Sequence, residues 1–393
     1  MALWIVDLLV LLLGVPVAMF AIECVLGILT PGSKKCLALP EGLCTAILVP
    51  AHNEETVIRA TLRSLQQQIG ENDHIVVIAD NCTDKTARIV RETGVTAIER
   101  SSDDERGKGY ALAHGIRYLN QQNTLPDVVV IVDADCLLAE GTLTLLKHHV
   151  VTYERPVQAC YLMKRGSIDR IGIKVSEFAF MVKNKIRLRG LSHMAMPVPL
   201  TGTGMAFPWR AISEANLATG DIVEDMRLGV ELVEQGMGAT YCDEAEVYSF
   251  FPTSDAAEKT QRERWEHGHL NTLRQFAPRL FKRAIGKPSL EALGMMLDLI
   301  IPPLSLLVIS IASVWVCCMF WGFFSADWSY AFVSASYLIL LVIVVLVMWI
   351  SHGRQILSVK ELAHIPVYIL LKIVVYVGYV VRKQTKWIRT DRH

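Results

Sequence analysis

A chain of 393 residues has room for one large domain with additional segments, and its 52% hydrophobic share and mean hydropathy of +0.35 are high for a wholly soluble protein. Lysine plus arginine and aspartate plus glutamate both total 39, so no basic surplus points to a nucleic-acid partner. The nine cysteines include no Cys-x-x-Cys pair, which implies neither a zinc site nor a disulfide framework and fits a reduced cytosolic domain.

In chain order, residues 1–30 are a long apolar stretch, enough to cross a hydrocarbon core of ~30 Å. A cleaved signal peptide fits poorly, since no basic residue precedes the run and the run is too long. Asp7 and Glu23 lie within it or near its ends, and Pro16 is placed to kink it. Lys34 and Lys35 follow, so the positive-inside rule puts the N-terminus outside and the next domain in the cytosol, at the inner membrane of a cell.

Residues 40–252 read as a soluble α/β domain. Strands are expected at Thr45–Val49, His74–Ala79, Val95–Ile98 and Val128–Val132, and helices at Glu54–Gln68, Thr83–Glu92 and Gly107–Asn120. This alternation predicts βαβ units and a largely parallel sheet. Residues 253–292 form a basic amphipathic region: Asp255–Ile285 carries seven Lys/Arg against four Asp/Glu, interleaved with Trp265, Leu270, Leu273, Phe276, Leu280 and Phe281. It suits a helix on an anionic leaflet and equally a solvated face packed on the domain. Residues 293–350 contain two further spans, about Met295–Phe320 and Tyr330–Ile350, joined by a loop without Lys or Arg. Residues 351–393 hold a cytosolic loop and a last apolar run, Ile365–Val381, interrupted by Lys372 and followed by Arg382, Lys383, Lys386, Arg389 and Arg392. That basic tail favours an interfacial or re-entrant helix over a fourth crossing.

The chemistry-bearing residues cluster at the ends of these elements. Val128–Val132 is five β-branched residues, as in a strand buried on both faces, and it ends in Asp133 and Asp135. Ligands gather beyond the carboxyl ends of strands in open α/β sheets, and two hard oxygen donors there suit Mg²⁺ or Mn²⁺ against a diphosphate. Asp-x-Asp equally suits helix capping. Pro50, Ala51, Asn53 and Glu54 form a polar turn after the first strand that is placed to receive a nucleoside; plain helix capping by Asn53 is the alternative. Asp80, after the second strand, is within reach of a base or ribose edge. Lys108, in Arg106-Gly-Lys-Gly-Tyr110, opens a helix whose N-terminus attracts phosphate. No Walker A loop or dinucleotide fingerprint occurs. Gly202, Thr203 and Gly204 make a turn that can pass beneath a sugar ring, near Glu224 and Asp225; these two acids point to different sides, so at most one is expected to face a site. Gln261, Arg264 and Trp265 share one helix face suited to diphosphate and sugar, whereas Arg262 points away toward lipid.

Taken together, Asp80, Asp133-x-Asp135, Glu224-Asp225 and Gln261-x-x-Arg264-Trp265, in this order, resemble the membrane-embedded family 2 glycosyltransferases, which include synthases of cellulose, chitin, hyaluronan and poly-N-acetylglucosamine. The resemblance spans about residues 44–270 and the flanking membrane segments. It implies a GT-A fold and a nucleotide-diphospho-sugar donor, most often UDP-linked. It further implies that Asp80 contacts the base, Lys108 and Asp133 the nucleotide and diphosphate, and Asp135, with Asp133, a Mg²⁺ or Mn²⁺ ion. Asp225 becomes the general base, and Gln261, Arg264 and Trp265 lie over donor diphosphate and acceptor. Asn81 stands where many relatives carry a second acid, His52 replaces an aromatic before the Asn-Glu pair, and the C-terminal membrane part is short beside cellulose synthase. The expected reaction is inverting transfer to a growing polysaccharide. Single transfer to a lipid-linked acceptor is the alternative, and a non-catalytic membrane scaffold is the least favoured. A second copy of the chain or an export partner is compatible with this pattern.

Overall fold

A computed structural model describes residues 2–29, 38–220, 223–286 and 288–381. Lys34, Lys35 and the basic residues from Arg382 onward, on which the expected orientation rests, lie outside the described residues.

The chain begins with α1 (Ala2–Ile28) and continues β1 (Thr45–Ala51), α2 (Ile58–Gln66), β2 (Asp73–Asp80), α3 (Thr86–Glu92), β3 (Thr96–Arg100), α4 (Lys108–Asn120) and β4 (Val128–Ile131). Then come β5 (Leu137–Leu138), α5 (Thr142–Tyr153), β6 (Val157–Lys164), α6 (Ile171–Met181), a π-helical turn (Val182–Ile186) and α7 (Arg187–His193). After these run β7 (Met205–Pro208), α8 (Trp209–Ile212), α9 (Glu224–Glu234) and β8 (Thr240–Phe250). The C-terminal helices are α10 (Asp255–Gly286), α11 (Leu290–Leu299), α12 (Leu304–Ser325), α13 (Ser329–Met348), α14 (Val359–Leu362), α15 (Ile365–Leu371) and α16 (Ile373–Val381).

These elements cluster as two units. The first is built on residues 38–164 and Ala195–Pro252 and holds the eight strands found among the described residues in one sheet, ordered β3-β2-β1-β4-β7-β6-β8-β5. The expected parallel half is present: β1 pairs in parallel with β2 and β4, and β2 with β3. The other half is mixed, because β7 runs antiparallel to both β4 and β6, so the sheet departs from the largely parallel expectation. β1 and β4 are buried along their whole length, as β-branched runs covered on both faces should be. Helix α2 lays Ile58, Thr61, Leu62 and Leu65 on its buried side, the 3–4 spacing of an amphipathic helix. It starts four residues later than expected, with the polar stretch before it spent on loop contacts described below.

The second unit comprises residues 2–29, Arg165–Met194 and the helices from residue 253 onward. Three helices among the described residues are long and apolar enough to cross a membrane: Asp7–Ile28, Leu304–Ser325 and Ser329–Gly353. The second of these begins at Leu304 rather than near Met295. Pro302 and Pro303 cannot donate to a helical ladder, so α11 ends before them and α12 starts after them. The last apolar run is two short helices that meet at Lys372, which is buried against Glu266 of α10 in an ion pair. Arg262 also meets protein rather than lipid, pairing with Glu258 and lying 5.3 Å from the Tyr368 ring centroid.

Glu23 sits in the apolar α1 and is fully buried. A buried carboxylate needs a partner, and Arg187 of α7 supplies it: Nε donates to Glu23 Oε2 at 2.6 Å and Nη2 to Asp298 Oδ1 of α11 at 2.6 Å. Glycines allow the approach. A Cβ on Gly190 would lie 2.0 Å from the Glu23 carbonyl oxygen, and one on Gly27 would lie 1.9 Å from that of Ile186. The His269 imidazole bonds the Ile301 carbonyl at 3.1 Å, and burial lowers its pKa to about 3, so it is the neutral ring whose Nε2–H donates.

Gly190→Ala is expected to force α1 and α7 apart at a cost of about 1–3 kcal/mol, the usual penalty for overpacking. The melting temperature in detergent should fall. Gly172→Ala, where an added Cβ meets nothing within 4 Å, should hold or raise it. Equal melting of the two variants would sink this account of the helix contact.

Candidate active site

The site forms where β4 ends. Asp133, Ala134 and Asp135 follow the strand directly, and three contacts fix their turn. Cys136 N–H donates to the Asp133 carbonyl at 3.0 Å, the Thr61 hydroxyl of α2 donates to the Ala134 carbonyl at 2.7 Å, and Asp133 N–H donates to Thr203 Oγ1 at 3.0 Å. Thr203 is fully buried and lies in the Gly-rich turn that leads into β7.

A residue not singled out in the sequence holds that turn. Gln158, fully buried in β6, accepts from Thr201 N–H through Oε1 at 2.9 Å and donates through Nε2 to the Thr203 carbonyl at 3.0 Å. Its only sequence signal is an amide within the otherwise apolar run Val157-Gln-Ala-Cys-Tyr161. Gly202 and Gly204 have φ of +90° and +63°, a region that disfavours side chains, and a Cβ on Gly204 would press within 2.8 Å of Val247.

Lys108, the first residue of α4, reaches into this turn. Its Nζ lies 2.5 Å from Asp133 Oδ1, 2.7 Å from the Gly202 carbonyl and 3.7 Å from Glu224 Oε1. The helix start beneath it is set by close backbone approach, for a Cβ on Gly109 would lie 2.4 Å from the Leu217 carbonyl oxygen. A Cβ built on Gly202 would lie 3.3 Å from Asp225 Oδ2, 3.6 Å from Lys108 Nζ and 4.0 Å from Asp133 Oδ2. Glu224 and Asp225 therefore both border the same turn, against the expectation that at most one would. They occupy the first turn of α9, where Glu224 reaches Lys108 and Asp225 reaches the face of Gly202.

Burial works against the Lys108 ammonium, but the Asp133 and Glu224 carboxylates outweigh it and raise its pKa above that of free lysine. Burial raises the Glu224 pKa to about 7; Lys108 opposes that shift and Asp225 adds to it. Three carboxylates around one ammonium leave a surplus of negative charge when all are ionised, and a proton on Glu224 relieves it.

The residues after β1 and β2 form a second cluster. Asn53 has φ of +55°, and its Oδ1 accepts from Thr83 N–H at 2.7 Å and Asp84 N–H at 3.3 Å. Glu54 N–H donates to Thr86 Oγ1 at 2.8 Å. Asn53 thus braces the neighbouring loop rather than capping α2, which begins after Val57 with no side-chain cap. Pro50 and Ala51 end β1 and are buried, paired in register with Ile78 and Ala79. Asp80 is buried and its Oδ1 accepts from Arg100 Nη1 at 2.7 Å, while Arg100 also bonds Glu105 and lies 5.5 Å from the Tyr110 ring centroid. Arg100 was not anticipated from the sequence. It gives Asp80 a fixed orientation and a neutralised environment.

Asp133, Asp135 and Cys136 can each offer one donor atom within 4.8 Å of the others. Two carboxylates, with the Lys108 ammonium beside Asp133, fit the hard-oxygen preference of Mg²⁺ or Mn²⁺. Gln261, Arg264 and Trp265 belong to the other unit, on α10. Gln261 is buried, and the Trp265 ring packs 5.7 Å from that of Phe180.

Residues 40–268 match the family described as glycosyltransferase like family 2. Among curated proteins, the chain is 29% identical over 216 residues to the 4,4'-diaponeurosporenoate glycosyltransferase of Staphylococcus aureus (strain USA300), covering 52% of this chain and 54% of that one. The chain thus spans about half the length of the curated relatives it matches. Among solved structures, a mannosyltransferase from Pyrobaculum calidifontis in complex with GDP-Man and Mn²⁺ aligns with TM-score 0.48 and 16% identity over 85% of this chain and 99% of that one. Glucosyl-3-phosphoglycerate synthase from Mycobacterium tuberculosis, in complex with Mn²⁺, UDP and phosphoglyceric acid, aligns with TM-score 0.40 and 17% identity over 58% and 78% of the two chains.

Gln158→Leu strands the Thr201 amide and the Thr203 carbonyl, at about 1–3 kcal/mol for each buried group, and should lower the melting temperature measurably; an unchanged value would contradict the brace. Glu224 should leave a pH signature. Its folded pKa of about 7 exceeds the ordinary 4.5, so the stability it contributes is full below about 4.5 and is lost as pH rises to about 7. Melting curves recorded across that window should show this decline in the native chain and a flatter profile in Glu224→Gln. Parallel profiles would refute the shifted carboxyl.

Proposed function

The chain belongs to glycosyltransferase-like family 2, and from that premise we propose that it moves a sugar from a nucleotide-diphospho-sugar donor, UDP-linked by preference, to an acceptor held at a membrane. The observation that carries this reading is the meeting of Lys108, Asp133, Glu224 and Asp225 around the backbone of Gly202. A cation beside a glycine turn suits a diphosphate, and a carboxylate alongside suits proton removal from a hydroxyl.

In this scheme the diphosphate lies against Lys108 and the Gly202 turn, and Asp133 and Asp135 hold a Mg²⁺ or Mn²⁺ ion. When bound, that ion supplies Lewis-acid neutralisation of the charge developing on the departing diphosphate. The acceptor oxygen attacks the anomeric carbon, the bond from that carbon to the diphosphate oxygen breaks, and the configuration inverts. Asp225 takes the hydroxyl proton, a role that typically contributes ~10²–10⁴-fold in rate. Glu224, protonated near neutrality, limits the negative charge that the donor meets. The rigid Asp80–Arg100 pair is assigned to the base or ribose edge. The roles that the family resemblance gives Gln261, Arg264 and Trp265 are part of the proposal and rest on that motif.

For the acceptor, single transfer to an apolar, membrane-resident molecule is supported by the curated relatives, which are named 4,4'-diaponeurosporenoate glycosyltransferase, and by three candidate spans. Extension of a polysaccharide is the second reading, favoured by the Gln261-x-x-Arg264-Trp265 pattern. The spans support an integral membrane protein, and the catalytic unit is assigned to the cytosolic side of the inner membrane, where nucleotide sugars are made.

Asp225→Asn is expected to bind donor nucleotide as the native chain does and to lose transfer by about 10²-fold or more; parallel loss of binding and transfer would remove Asp225 from the role of base. Incubation of membranes with radiolabelled UDP-sugars should give a product that extracts into organic solvent and carries one sugar. A ladder of lengthening products would decide for the polymer instead, and no transfer from any UDP- or GDP-sugar would overturn the proposed activity.

A further inference from the structure

A second group of ligating side chains lies in the sheet-bearing unit, made of residues that the proposed chemistry does not use. Helix α5 packs Leu143, Leu146 and Val150 inward, and His149 is buried with them. The His149 ring is steadied by Tyr153, edge-on with centroids 5.4 Å apart. Strand β8 contributes Cys242, fully buried, and Glu244, which is exposed.

The backbone of β8 is unusual at this point. Its register with β6 runs Gln158↔Tyr241 and Ala159↔Cys242, then jumps to Cys160↔Glu246. The β6 ladder therefore skips positions 243–245, and β8 bulges just after Cys242. One donor atom each from His149, Cys242 and Glu244 lies within 4.8 Å of the others.

An imidazole nitrogen, a sulfur and a carboxylate oxygen form a mixed set that suits a borderline cation. Donors bound tetrahedrally to one Zn²⁺ stand about 3.3–3.8 Å apart, from its usual bond lengths. The exposed Glu244 carboxylate has the freedom to close that distance, and solvent on its side can fill the fourth position. Mg²⁺ is disfavoured, since sulfur and imidazole are poor ligands for it, and this separates the group from the Asp133–Asp135 pair.

We propose that His149, Cys242 and Glu244 form a binding site for Zn²⁺ or a similar transition-metal dication, which staples α5 to the bulge of β8. Binding forms a metal–sulfur bond and releases the Cys242 thiol proton to solvent, so affinity falls at low pH. The site was not foreseen from the cysteine pattern because its three ligands come from two elements about 90 residues apart, and a search for Cys-x-x-Cys spacing cannot register it.

The test uses the full chain in detergent, stripped with chelator and then titrated with Zn²⁺ against a chromophoric competitor and, separately, with Co²⁺. The native protein should hold one Zn²⁺ at this site, melt at a higher temperature with Zn²⁺ present, and show a thiolate-to-cobalt charge-transfer band. Cys242→Ser should lose the band and the thermal gain, whereas Cys136→Ser, which removes the only thiol of the Asp133 group, should keep both. Absence of the band in the native chain, its survival in Cys242→Ser, or its loss in Cys136→Ser would overturn the proposal. Should Cys242→Ser fail to fold, Glu244→Gln decides, because that side chain is exposed: Zn²⁺ affinity should fall at least about tenfold, and unchanged affinity would count against the site.

Discussion

The candidate site depends on a turn of backbone held against the end of a strand. Buried Gln158 grips residues 201–203 from one side, and Thr203 receives the Asp133 amide on the other. Every charged group of the cluster is positioned relative to that turn. Lys108 bonds its Gly202 carbonyl, and Asp225 borders the face where Gly202 has no side chain. The hydrogen bonds involved are individually modest in net worth, but breaking one inside a packed sheet leaves buried polar groups unpaired. A neutral amide in β6 thus governs the geometry of acids and a cation that lie far from it in sequence.

Charge in the site is arranged so that no group is isolated. Lys108 faces two carboxylates directly and a third nearby, and burial, with Asp225 adding to it, raises the Glu224 pKa to about 7 against the pull of Lys108. In the proposed reaction a donor diphosphate would bring further negative charge, and a metal ion on Asp133 and Asp135 would be its counterweight. The loops after β1 and β2 use another device. The Asn53 side chain and the Glu54 backbone amide bond the backbone and a hydroxyl of the adjoining loop, and Arg100 fixes Asp80. Residues that read as ligand contacts in the sequence thereby serve first to shape the loops.

The helical unit follows the same economy in an apolar setting. Glu23 within α1 is matched by Arg187, and Lys372 within the last apolar run by Glu266. Both charges interrupt sequences that otherwise look like plain membrane helix. Around Glu23 the helices also meet through glycines, so packing and ion pairing act at one place. Pro302 and Pro303 moved the second span about nine residues beyond its expected start, because hydropathy averages over a window while proline acts on single hydrogen bonds.

The sequence by itself determined whatever neighbouring residues control. The β-branched run before Asp133 dictated a buried strand, the alternation of strand and helix patterns dictated an α/β sheet, and three apolar runs dictated the candidate spans. Asp80, Asp133, Asp135, the Glu224-Asp225 pair and Gln261-x-x-Arg264-Trp265 stood out as a set through an order resembling that of a known family. Only the tertiary structure decided which of these share a partner, that both Glu224 and Asp225 reach one turn, that Gln158 and Arg100 hold the loops, and that Arg165–Met194 cluster with the C-terminal helices. It also made half of the sheet mixed, with β7 antiparallel to both of its neighbours. The physical reason is range. Propensity and hydropathy act within a few residues, whereas the Lys108–Gly202 bond joins positions 94 apart and the Arg187–Glu23 pair positions 164 apart, where local pattern carries no information.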